Sequence, residues 1–168
     1  MSLSISRSGV ATRICLDTGL TITQAAAALQ AESAIAQDTP ITPVLAYLEA
    51  MEARQLDRAN ALLADAFVMQ FPGARCFRSV DALIPWAAAR YSALQKRLEA
   101  LEAIGTLADG VVYVRGRLDG RWPDGTPFRD VRFIDRFDVA DGLLLRQDVW
   151  NDLAELRTSA ADDGEAQT

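Results

Sequence analysis

Residues 131–139 alternate strictly between two faces. Val131, Phe133, Asp135, Phe137 and Val139 fall on one, and Arg132, Ile134, Arg136 and Asp138 on the other. Successive side chains of a strand point to opposite faces of its sheet, so the spacing predicts a strand with its apolar face inward. Asp135 then stands in the middle of an apolar stripe. A buried carboxylate costs several kcal/mol unless it is paired, hydrogen-bonded or protonated, so Asp135 has either a structural partner or a chemical task.

The same period runs through 111–118, where Val112, Val114, Gly116 and Leu118 oppose Tyr113, Arg115 and Arg117. Asp141-Gly142 predicts a tight hairpin into 143–151, with Leu145, Gln147, Val149 and Asn151 inward and Leu144, Arg146, Asp148 and Trp150 outward. Shorter strands are predicted at 67–71, with Phe67, Met69 and Phe71 on one face, and at 98–107. Trp122-Pro123-Asp124-Gly125 signals a turn.

Helical spacing dominates earlier. Thr42-Pro43 reads as an N-cap followed by a first-turn proline, and Val44, Leu45, Leu48 and Met51 form a stripe with Tyr47 one turn before Met51. Asp57 caps a second short helix, with Ala59, Leu62 and Leu63 as its stripe. Ser79 caps a third, running to about residue 96 and kinked or broken at Pro85. Helices first and a long antiparallel sheet last give an α+β class, helices covering one face of a curved sheet.

Residues 1–40 read as a loosely attached N-terminal extension, rich in Ser, Thr and Ala, with one helix at 23–36. Ala34-Ile35-Ala36-Gln37 resembles a signal cleavage site, but Asp17, Gln24 and Gln30 interrupt the apolar core that an export signal needs. The domain itself is expected over 41–156, with a disordered, acidic tail at 157–168.

Composition narrows the function. The chain has 168 residues, half of them apolar, and a net charge of −6, which argues against nucleic acid or an anionic membrane as partner. No apolar run is long enough to span a bilayer. The two cysteines, Cys15 and Cys76, lack metal spacing and fit a reduced, cytoplasmic setting. There is no histidine, which excludes Ser-His-Asp and Cys-His triads and imidazole acid–base chemistry. No glycine-rich phosphate loop or metal cluster is visible, so no cofactor is expected.

The two sheet faces differ. Arg115, Arg117, Asp130, Arg132, Arg136, Asp138, Arg146 and Asp148 make the outer face a mixed-charge surface. It is either solvated or, given Ile134 and Trp150, a homodimer interface. The inner face implies either a solid core or an apolar pocket with a few polar groups, the usual form of a site for a small hydrophobic molecule. Its expected lining is Phe71, Trp86, Phe133, Phe137, Gln147, Val149 and Asn151 around Tyr47 and Asp135. Trp86 and Tyr91 lie at the mouth of such a pocket or in plain core, and Cys76 in a loop is incidental.

Three stretches together resemble the nuclear transport factor 2-like superfamily, in its SnoaL-like and ketosteroid isomerase-like branch, over roughly residues 42–155. Pro43-Val44-Leu45-Ala46-Tyr47-Leu48-Glu49-Ala50-Met51, with Leu56-Asp57 and Leu62-Leu63-Ala64-Asp65, is similar to the opening helices. Phe133-Ile134-Asp135-Arg136-Phe137-Asp138-Val139 with Asp141-Gly142 is similar to the penultimate strand and hairpin, and Arg146-Gln147-Asp148-Val149-Trp150-Asn151-Asp152 to the last strand. The resemblance implies a cone-shaped α+β domain with a deep pocket, often dimeric. It matches Tyr47 to the tyrosine that donates to a developing oxyanion, and Asp135 to the protonated acid beside it. It puts Phe71 where ketosteroid isomerase has its base, so that enzyme's reaction is not expected.

Three readings follow. The first is a cofactor-free isomerase or lyase (polyketide cyclase-like) or epoxide hydrolase acting on a hydrophobic carbonyl compound or epoxide. Tyr47 and Asp135 would be oxyanion donors, and Asp148, Asp152 or a water held by Gln147 and Asn151 the base. The second is a non-catalytic binding or dimerisation module of the same fold. The third is structural, with Asp135 paired to Tyr47 or Arg90.

Overall fold

A computed structural model describes residues 3–31 and 39–157. In chain order the elements are β1 (Leu3–Ser8), β2 (Ala11–Thr21), α1 (Ile22–Ala31), α2 (Ile41–Glu52), α3 (Leu56–Asn60), β3 (Leu63–Phe71), β4 (Arg75–Phe77), α4 (Val80–Ala88), β5 (Ala93–Gly105), β6 (Asp109–Arg121), β7 (Pro127–Ala140) and β8 (Leu143–Asn151). The strands form one mixed sheet in the order β1-β2-β5-β6-β7-β8-β3-β4. Every neighbouring pair is antiparallel except β3 and β8. Helices lie over one face of this curved sheet, giving the α+β class read from the pattern and the cone shape that the resemblance implies.

The alternation sets which face is buried. Val112, Val114 and Leu118 of β6 and Val131, Phe133, Asp135, Phe137 and Val139 of β7 are all buried. Val114 lies opposite Asp135, and Asp135 opposite Val149 of β8. Asp141 and Gly142 both take positive φ, 49° and 78°, which matches the strand twist that a two-residue hairpin needs. One register differs from expectation. A bulge between Asp138 and Val139 pairs Val139 with Leu144, so Leu144 is buried and Leu145 exposed. Beyond the bulge Gln147 and Val149 are inward as predicted.

The helix boundaries shift for local reasons. α2 starts at Ile41, so Thr42 and Pro43 lie inside its first turn, where a proline removes no hydrogen bond. Asp57 sits in the first turn of α3 and makes no side-chain cap. Ser79 does cap α4, accepting from the Ala82 N–H at 3.2 Å. That helix ends at Ala88 rather than near residue 96, because Pro85 weakens it and Leu94, Lys96 and Leu98 resume the strand period as β5.

The expected loose extension is largely sheet. β1 and β2 form a hairpin, β2 pairs with β5, and Ile14, Leu16, Leu20, Ile22, Ala25 and Leu29 enter the core. The end of the helix expected at 23–36 and the tail from residue 158 lie outside the described residues. Among the described residues no helix is long and apolar enough to cross a membrane.

Gly116 sits where β6 passes a bulge in β5 between Leu98 and Ala100. A Cβ there would lie 1.9 Å from the Arg97 carbonyl oxygen. Gly116→Ala is therefore expected to cost about 1–3 kcal/mol, as overpacking does, read as a lower urea midpoint with an unchanged m-value.

On the outer face charged side chains pair, with Arg97, Glu99 and Asp119 joining the predicted set. Arg117 reaches Glu99, Arg97 reaches Asp119 and Asp130, Arg136 reaches Asp138, and Arg146 reaches Asp148. Tyr113, Ile134 and Trp150 stand exposed among them.

Candidate functional site

A cavity of about 130 Å³ opens between the concave face of the sheet and helices α2 and α4. A 150 Å³ apolar cavity can hold benzene, so this one has room for a ring-sized group. Its polar floor comes from four elements. Tyr47 stands on α2, Lys96 on β5, Asp135 on β7 and Gln147 on β8, and all four line it.

These side chains form one chain of hydrogen bonds. Asp135 is fully buried. The Lys96 ammonium donates to its Oδ2. The Gln147 amide donates to the same oxygen at 3.4 Å, and the Tyr47 hydroxyl donates to Gln147 Oε1 at 3.3 Å. The order follows from chemistry. A carboxylate accepts, so the amide turns its NH₂ to Asp135 and its oxygen to Tyr47, which leaves Tyr47 the donor. Burial first, and then the negative charge of Asp135, hold the Tyr47 phenol above its usual range, so it keeps its proton.

The remaining oxygen of Asp135, Oδ1, is buried and has no partner among the described residues; the same holds for Glu52 Oε1. Both residues line the cavity. Burial pushes the Glu52 carboxyl up, opposed by the backbone N–H and charge of Lys96. Two buried acceptor oxygens without donors is a costly arrangement that a ligand hydroxyl or water can relieve.

Several expectations need correction here. Asp135 Oδ2 accepts from both the Lys96 ammonium and the Gln147 amide. Its partner is neither Arg90 nor Tyr47 directly. Arg90 lies 4.6 Å over the Trp86 ring, and Tyr47 reaches Asp135 through Gln147. Phe137 is fully buried and does not line the cavity; it packs edge-on against Tyr47 at 6.1 Å. Asp148 and Asp152 are on the outer face, taken by Arg146 and Arg132, so neither can be the base. Asn151 lines the cavity, but its Oδ1 accepts from the Leu153 N–H at 3.3 Å.

Phe71, Trp86, Phe133, Gln147 and Val149 line the cavity, and so does Tyr91. Phe71 and Trp86 pack at 5.1 Å, with Phe77 closing the group. Lys96 was missed by sequence reasoning because residues 93–96 were assigned to a helix end. The spacing of Leu94, Lys96 and Leu98 is the signal that places it inward. Lys96 also lies 4.6 Å over the Phe133 ring. Cys15 and Cys76 are free, and no group of three metal-ligating side chains occurs among the described residues.

A family model described as a SnoaL-like domain matches residues 44–147. The chain belongs to the SnoaL-like domain family. Solved structures of nuclear transport factor 2-like proteins share this SnoaL-like fold at low identity. One from Burkholderia thailandensis E264 is 19% identical, covers 73% of this chain and 97% of its own, and has a TM-score of 0.60. TerC, co-crystallised with polyporic acid, is 16% identical, with 71% and 95% covered and a TM-score of 0.59. A candidate SnoaL-like polyketide cyclase from Jannaschia sp. CCS1 is 20% identical, with 71% and 89% covered and a TM-score of 0.56. No curated protein matches the chain. The SnoaL-like region carries Tyr47, Lys96, Asp135 and Gln147, while α1, which adds Ile22 to the cavity wall, precedes it.

Proposed function

We propose that the cavity takes a small, largely apolar molecule bearing a hydroxyl, enol or carbonyl group, and that the protein is a cofactor-free isomerase, cyclase or dehydratase acting on it. One observation carries this reading: two buried carboxylate oxygens, on Asp135 and Glu52, have no donor among the described residues and belong to residues that line a largely apolar cavity. Asp135 Oδ1 is the group that accepts a proton from the ligand, from a hydroxyl or from a carbon beside a carbonyl. The Lys96 ammonium is a donor for an oxygen that becomes negative, and the Tyr47 phenol joins it by turning its O–H from Gln147 Oε1 to the ligand. Lys96 also holds the Asp135 carboxyl group in place through Oδ2. The likeness to a candidate polyketide cyclase and to a protein co-crystallised with polyporic acid agrees with a ligand of this class.

A second reading has one observation in its favour. Phe71, at the position that the ketosteroid isomerase resemblance gives to the base, is an aromatic wall residue, which suits a binding module with no turnover.

A thermal-shift screen against phenols, enones, steroids and terpene epoxides tests both. A ligand at about 100 times its Kd should stabilise the fold by about 2.7 kcal/mol. Asp135→Asn should then lower turnover of a catalytic ligand by about 10²-fold or more while leaving its Kd within about tenfold. Binding without turnover in the parent protein selects the second reading. Absence of any stabilising ligand, or hits indifferent to both Asp135→Asn and Tyr47→Phe, would remove the site.

A further inference from the structure

The rim of the cavity carries positive charge that the protein leaves unused. Arg54 and Arg90 both line it, and neither has an ion-pair partner among the described residues. Arginines elsewhere, such as Arg97, Arg117 and Arg146, reach carboxylates. Three basic side chains, Arg54, Arg90 and Lys96, and two acidic ones, Glu52 and Asp135, line the cavity. Basic groups therefore outnumber acidic ones there, in a chain whose net charge is −6. A positive mouth on an acidic protein selects for an anion.

Arg54 follows the C-cap of α2 with a φ of 58°, the left-handed position that glycine usually fills because a side chain is strained there. Arg90 stacks over the face of Trp86 at 4.6 Å, which occupies its plane and leaves the in-plane N–H fork free. Tyr91 lies within the field of both. Burial pushes its phenol up, and the charges of Arg54 and Arg90 oppose that.

We propose that this rim is an anion site, so that the ligand is an apolar acid. Its carboxylate is gripped by Arg54, Arg90 and Tyr91, and its body lies against Phe71 and Trp86. The inference rests on the proposed use of the cavity for a small molecule and names the class. A ligand with a hydroxyl at one end and a carboxylate at the other meets both sets of unused groups, acceptors at the floor and donors at the rim. An arginine fork binds a carboxylate through two parallel bonds, which a neutral ester cannot match.

Calorimetric titration of the full chain with 3-(4-hydroxyphenyl)propanoate and with its methyl ester tests this. The acid is expected to bind about tenfold or more tighter than the ester, as one or two charge-assisted hydrogen bonds would give, and its advantage should shrink as salt is raised. In the double variant Arg54→Asn, Arg90→Gln the acid should fall to parity with the ester while the ester keeps its parent affinity. Asparagine is chosen at 54 because it tolerates the left-handed backbone. Equal binding of acid and ester to the parent protein, or an acid preference that survives in the double variant, overturns the anion site and leaves the small-molecule pocket standing. Failure of both probes to bind the parent protein counts against the pocket itself, and the anion site goes with it.

Discussion

Lys96→Met is expected to lower the unfolding free energy by about 3–5 kcal/mol, the usual cost of removing one partner from a buried pair. The size follows from the position of Asp135. Its carboxyl group is fully buried, and one of its two oxygens already has no donor among the described residues. Without the ammonium, only the Gln147 amide would face that charge. The Lys96 side chain is 17% exposed, so water can partly replace it, which favours the lower end of the range. The double variant Lys96→Met, Asp135→Leu should recover most of the loss, because two apolar groups of similar volume avoid the desolvation that the ion pair bears. Denaturant titrations of the three proteins settle it. A single variant that loses under about 1 kcal/mol would mean that the pair is screened by solvent and does not organise the site.

Phe137→Ala should cost about 3–5 kcal/mol, as deletion of a buried phenylalanine does. Phe137 is fully buried under Tyr47 and does not line the cavity. Its loss opens a void in packed core and frees the Tyr47 ring, so two effects are expected together: a lower denaturant midpoint and weaker binding of any ligand that depends on the Tyr47 hydroxyl. A residue bordering an open cavity would show the second effect with far less of the first. A cost below about 1 kcal/mol would return Phe137 to the cavity wall.

The contrast between Phe137 and Phe133 shows how far the sequence could be read. Period-two spacing places both inward, because a strand with one buried face cannot slip by one residue without turning its apolar set to water. It does not say which inward residue meets a void and which meets a helix, since that depends on where α2 crosses the sheet. Asp135, Gln147 and Val149 were legible for the same reason, and Ser79 and Asp141-Gly142 were legible because caps and tight turns have local chemical requirements. Leu145 was misplaced because a bulge is invisible in a regular alternation. Lys96 was hidden because Leu94, Gln95, Lys96 and Arg97 all favour helices, and pairing with β6 overrode that preference. The N-terminal hairpin was obscured by its serines and threonines, although Ile14 and Leu16 already mark a face. The ion pair at the centre of the site was therefore half-visible, its acid legible and its base not.

The hairpin also guards the molecule against itself. With β1 and β2 removed, the thirteen residues of β5 would offer a long open ladder of amides and carbonyls to any passing strand, a template for aggregation. As the chain is built, the sheet ends instead on six residues in which exposed Ser4, Ser6 and Ser8 alternate with Ile5 and Arg7. A short hydrophilic border of that kind gives a stray strand little to grip, and the first thirty residues so act as a selvedge for the fabric that holds the cavity.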